Sequence, residues 1–131
     1  MVNVYCLGNK YVSEDNLALR FVDQKINNLE FKEYNPDIQG DILIMDVCKN
    51  LDEMKLLDLN NFLARHPVTT HDFDIGTELK LLQAIGQVSK VSVIAIPMDY
   101  TYDQVLSNLK SKKWVEQALQ GSYALINFSI C

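Results

Sequence analysis

Residues 41–46 read DILIMD, an unbroken apolar run held between two aspartates. Such a run cannot alternate a dry face with a wet one. It suits an interior strand covered on both faces, as in a parallel sheet flanked by helices, and its closing acid, Asp46, falls where that strand would end. Outward from it the chain repeats the theme. Val2 to Leu7 is a second β-branched and apolar run, ending at Gly8-Asn9, and Lys90 to Ile96 (KVSVIAI) is a third, stopped by Pro97. Leu29 to Tyr34 (LEFKEY) alternates apolar with charged residues, as a half-buried or edge strand does, and Asn35-Pro36-Asp37 closes it with turn residues.

Helical spacing fills the intervals. Ser13 is placed to cap a helix whose first turn carries Glu14 and Asp15, where carboxylates meet the positive end of the helix dipole. Leu17, Ala18, Phe21, Val22 and Ile26 then recur on one face, broken only by Lys25. Ile75, Leu79, Leu82 and Ile85 form a second such stripe, ending near Gly86. A third helical stretch runs from Tyr102 to about Leu125, with Val105, Leu109, Trp114, Ala118 and Leu125 facing the core. Met54 to Phe62 fits either a short strand followed by a turn or a single weak helix. Strands alternating with helices predict an α/β fold: one three-layer domain over residues 1–131, a mainly parallel twisted sheet with helices on both faces.

Composition agrees with one folded domain. Hydrophobic residues are 48% of the 131 and charged residues 22%, far from the regime of disorder. The net charge is -5 and Lys110 to Lys113 is the densest basic run, which argues against a nucleic-acid partner. The opening MVNVYCLGNK is too short an apolar run for a signal peptide and no stretch reaches the length of a membrane span, so the expected location is cytoplasmic, with no membrane partner. Cys6, Cys48 and Cys131 show no metal-binding spacing and are read as reduced, Cys6 and Cys48 as small apolar fillers near strand ends. The alternative for Cys48 is a reactive thiol near a site.

In a doubly wound sheet, ligands bind outside the carboxyl ends of the strands, at the switch point where the winding reverses. Asp15 comes after the first strand and Asp46 ends the third, so a strand order of 2-1-3 would set them side by side. His71, in PVTTHDFDIG (67–76), precedes a helix that would open on the same edge. Two carboxylates and an imidazole with open positions make a site for a divalent ion such as nickel or zinc, and Thr69, Thr70, Asp72 or Asp74 could orient the second ring nitrogen. Each residue also has a plainer reading: Asp15 as a helix N-terminal acid, Asp46 as a strand-end turn residue, His71 as a surface histidine near a cap.

The stretches CLGNKYVSEDNLALR, DILIMDV and PVTTHDFDIG, in this order and at these distances, resemble the hydrogenase maturation endopeptidases, which trim the C-terminal tail from the large-subunit precursor of nickel-iron hydrogenases. The resemblance covers about Val2 to Ile96. It implies that Asp15, Asp46 and His71 hold the nickel, presented by the precursor itself, with zinc or another divalent ion able to substitute in vitro. It further implies catalytic roles for the same three residues, a monomer, and the hydrogenase large-subunit precursor as partner. Gly8 and Asn9 match the loop that shapes the site, with Asn9 as turn support. The sequence departs from the family where YNPDIQGD (34–41) replaces a glycine-containing loop after the second strand, and Ala95 to Asp99 (AIPMD) replaces Gly-Ile-x-Pro-Glu. The departure at 34–41 motivates a second expectation, a non-catalytic metal- or partner-binding module of the same fold. A receiver-like signalling domain is a weaker analogy, because Pro97 stands where its lysine would be.

Overall fold

The computed structural model describes residues 2–8, 16–65, 75–111 and 114–120. The apolar run forms part of β4 (Gly40–Cys48), which is buried continuously from Ile42 to Cys48. It pairs in parallel with β1 (Val2–Cys6) on one side and with β6 (Val88–Pro97) on the other. β1 in turn pairs in parallel with β3 (Leu29–Glu33). Two short antiparallel strands, β2 (Lys25–Ile26) and β5 (Lys55–Asp58), close the edges, giving one mixed, mostly parallel sheet in the order β2-β3-β1-β4-β6-β5. The expected order around the first strand, with β1 between β3 and β4, is therefore present.

Alternate residues of β4 enter two different hydrophobic clusters, which is why the sequence run has no polar side. Leu43, Met45 and Val47 join Ala18, Phe21, Ile94 and Ile96, together with residues of α3 (Tyr102–Ser111) and α4 (Trp114–Gln120). Ile42, Ile44 and Cys48 join Val93 and Ala95 with residues of α1 (Leu59–Arg65) and α2 (Ile75–Ala84). Burying a side chain of this size is worth about 1.5–3 kcal/mol, so the clusters on β4 and β6 hold the sheet. Val105, Leu109 and Trp114 are buried as expected and Ala118 packs against their cluster, while Leu125 lies outside the described residues. Among the described residues no helix is long and apolar enough to cross a membrane.

The helix expected from Asp15 to Ile26 is corrected. Ser13, Glu14 and Asp15 lie outside the described residues, and the chain after them forms a single 3₁₀ turn, Ala18–Phe21. The burial of Leu17, Ala18 and Phe21 accounts for the helical spacing there. Beyond it Val22 is extended (ψ 136°) and Asp23 is left-handed (φ 72°), so the chain leaves the turn. It is captured by β3: Asp23 N–H donates to the Phe31 carbonyl and Phe31 N–H to the Gln24 carbonyl. Asn27, left-handed at φ 54° as Asn tolerates, turns the hairpin, and its side-chain amide donates to the Leu109 and Lys110 carbonyls at the end of α3. Tertiary satisfaction of α3 thus outweighs the local periodicity.

Elsewhere the differences are smaller. Residues 55–65 resolve into strand then helix, β5 and α1. Ile85 is 64% exposed rather than in the core, because it caps α2. Gly86 (φ 80°) ends that helix with Gln87 N–H donating to the Leu82 carbonyl and Gly86 N–H to Gln83, the Schellman arrangement. β4 does not end at Asp46 but runs two residues further, to Cys48.

Candidate functional site

β1 and β4 part company at their carboxyl ends. Their last register pair is Cys6 with Met45, and Leu7 N–H still donates to the Met45 carbonyl at 3.0 Å. From this point the sheet continues through β3 on one side and β6 on the other, which makes it the topological switch point. Asp46 is the next residue of β4. It is 1% exposed and the one buried charged side chain among the described residues. Taking a carboxylate out of water costs several kcal/mol unless it is compensated, so the position marks either a structural network or a site. Part of the compensation is local: Val47 N–H donates to Asp46 Oδ1 at 2.8 Å.

The charge of Asp46 reaches its neighbour. The Cys6 thiol is pushed up to about 12, first by burial and then by the negative charge of Asp46. It therefore stays protonated and unreactive at neutral pH, as a packing residue should. Cys48 is buried in the cluster with α1 and α2, in keeping with a filler rather than a reactive thiol.

A second pair of polar groups sits along the same edge. Glu33, Cys6 and Met45 lie in register across β3, β1 and β4, so the next residues along these chains are Tyr34, Leu7 and Asp46. Tyr34 and Leu7 pack against the cluster that contains α2, and by alternation with Ile44 and Cys48 the Asp46 side chain shares their face. The Tyr34 hydroxyl donates to Glu78 Oε1 at 3.0 Å, and Glu78 lies in the first turn of α2. Burial first, then the Glu78 hydrogen bond and charge, hold the Tyr34 hydroxyl well above the usual tyrosine range. α2 consequently begins at the carboxyl edge of the sheet and runs back toward β6.

Of the three residues singled out in the sequence, the structure places Asp46. Asp15 and His71 lie outside the described residues, as does Asn9; Gly8, with φ 146°, has a backbone that side-chain-bearing residues rarely adopt. Among the described residues no three His, Cys, Asp or Glu side chains converge on one point. Tyr34 and Glu78 were not legible as partners, since nothing in LEFKEY or in the α2 stripe signals a contact between segments so far apart. No family model, curated protein or solved structure matches the chain.

The opposite, amino end of the sheet holds a cavity of about 310 Å³ between β1, β4, β6 and α4, with Asn3, Asp41, Lys90 and Ser92 among its lining residues. Its cation is engaged in structure: Lys90 Nζ donates to the Ala118 carbonyl at 2.6 Å. A lysine in that position satisfies a carbonyl in the last turn of α4 and complements the helix dipole.

Proposed function

We propose that the chain is an endopeptidase that removes the C-terminal extension of a nickel-loaded hydrogenase large-subunit precursor, and that Asp15, Asp46 and His71 recognise the nickel carried by that precursor. The observation that carries this reading is the buried carboxylate of Asp46 at the switch point, beside the end of β1. In sequence, Asp15 comes after β1 and His71 shortly before α2, and both of those element ends belong to the carboxyl edge. The same reading makes the sheet the middle of three layers, with α1 and α2 over one face and α3 and α4 over the other, supported by the two clusters that divide alternate residues of β4. It describes a cytoplasmic monomer.

The chemistry rests on the donor set. A carboxylate held away from water interacts strongly with a cation, and an imidazole and a second carboxylate complete an oxygen- and nitrogen-donor set that suits nickel, with zinc able to take its place in vitro. With the metal held, a polarised scissile carbonyl or an acidified water provides the hydrolytic step, or one carboxylate serves as general base.

The test is to incubate purified protein with nickel-loaded and nickel-free precursor and to weigh the large subunit by mass spectrometry. The expected result is shortening of the loaded precursor alone, lost in a folded Asp46→Ala variant. Trimming by Asp46→Ala at the native rate would refute the assignment.

One observation favours the second reading, a non-catalytic metal- or partner-binding module. The connection from β3 to β4 is a short crossover with a turn at Pro36-Asp37, pinned to the body: Gln87 Nε2 donates to the Pro36 and Ile38 carbonyls, and Gly40 N–H donates to the Gln87 carbonyl. A segment tied down in this way cannot serve as a free docking loop. A shortened large subunit in the trimming assay excludes this module.

A further inference from the structure

We infer that Tyr34 and Glu78 form a positioning pair, which fixes the first turn of α2 over the edge row that contains Asp46. Tyr34 lies two strands from Asp46, about 10 Å away at ordinary strand spacing, with Leu7 between them. Tyr34 is itself anchored, since its N–H donates to the Cys6 carbonyl at 3.3 Å and its ring packs against the cluster with α2. The hydroxyl then projects the sheet's register onto the helix through Glu78.

Ile75, Leu79 and Leu82 bury α2 against the sheet, but apolar packing lets a short helix slide or roll by a fraction of a turn. The directional bond from the Tyr34 hydroxyl to Glu78 in the first turn restricts that freedom. It also fixes where α2 begins relative to the edge row.

The role in turnover rests on the protease reading; the coupling to Asp46 does not. Tyr34→Phe removes the hydroxyl and keeps the ring, while Glu78→Gln keeps an oxygen for the hydroxyl to donate to. Each variant is tracked in two ways: the amide NMR signal of Val47, which reports its bond to Asp46 Oδ1, and trimming of nickel-loaded precursor resolved into kcat and KM. The expected result is that Tyr34→Phe moves or broadens the Val47 signal and lowers kcat about tenfold with KM unchanged, and that Glu78→Gln retains native values for both. If native protein trims nothing while Tyr34→Phe still moves the Val47 signal and Glu78→Gln does not, the positioning pair stands and the protease reading falls. A Val47 signal identical in Tyr34→Phe and native protein overturns the pair, whatever the trimming shows.

Discussion

The two ends of this sheet both carry buried or half-buried polar groups, yet they use them differently. At the amino end there is a cavity of about 310 Å³, and its lysine is engaged with the α4 carbonyl of Ala118. At the carboxyl end one buried carboxylate, Asp46, lies within the stretch of β4 that is buried continuously from Ile42 to Cys48. The cavity taken alone would point to the first end. The proposed site lies at the second end, on the reading that a buried carboxylate at the switch point carries a cost that packing alone does not repay.

The largest expected effect separates the two ends through metal. In a calorimetric titration with nickel and with zinc, saturable binding by native protein should weaken by on the order of a hundredfold in His71→Ala and in Asp46→Ala, since each removes a donor from a small set. Equal affinity in native protein and both variants breaks the comparison at the carboxyl end. Next in size, Lys90→Met at the amino end should lower stability by about 1–3 kcal/mol in urea unfolding, the worth of a hydrogen bond from a charged donor, without touching metal affinity. No change in midpoint would mean that the Lys90 contact is idle. Gly86→Ala should cost about 1 kcal/mol; no side chain would collide there, so the loss isolates the left-handed φ of 80°.

The last effect is absent at neutral pH and emerges only at alkaline pH. The Cys6 thiol is raised from 9.0 to about 12 in the folded state, so the unfolded chain releases its proton first. Below pH 9 the thiol contributes no pH dependence. Between about 9 and about 12 the unfolded state binds fewer protons, and stability falls as pH rises. Cys6→Ala should flatten that part of the pH profile of the unfolding midpoint relative to native protein; an unchanged slope would place the effect elsewhere.

Much of this arrangement could be read from residue order. The unbroken DILIMD run announced an interior strand because both of its faces meet apolar clusters, and KVSVIAI did so for β6. The α2 stripe held at Ile75, Leu79 and Leu82 but failed at Ile85, where Gly86 had already turned the chain. The segment after Asp15 misleads for a physical reason: Leu17, Ala18 and Phe21 are spaced for burial on one side, and a 3₁₀ turn satisfies that spacing as well as a helix does. The chain is diverted afterwards by the pairing of residues 23–26 with β3 and by the Asn27 contacts to α3, neither of which has a local signature. Asp46 was visible as an acid closing an apolar run. Its depth, two residues inside the strand and nearly sealed from solvent, was not.

The most direct test sets the two ends against each other in one assay, trimming of nickel-loaded precursor by Asp46→Asn and by Lys90→Met. Asp46→Asn keeps the shape of the side chain and removes its charge. This variant should stay folded and trim at less than about a hundredth of the native rate, while Lys90→Met, held below its lowered midpoint, should trim normally. Native trimming by Asp46→Asn, or loss of trimming in the lysine variant instead, would contradict the assignment of the site to the carboxyl end.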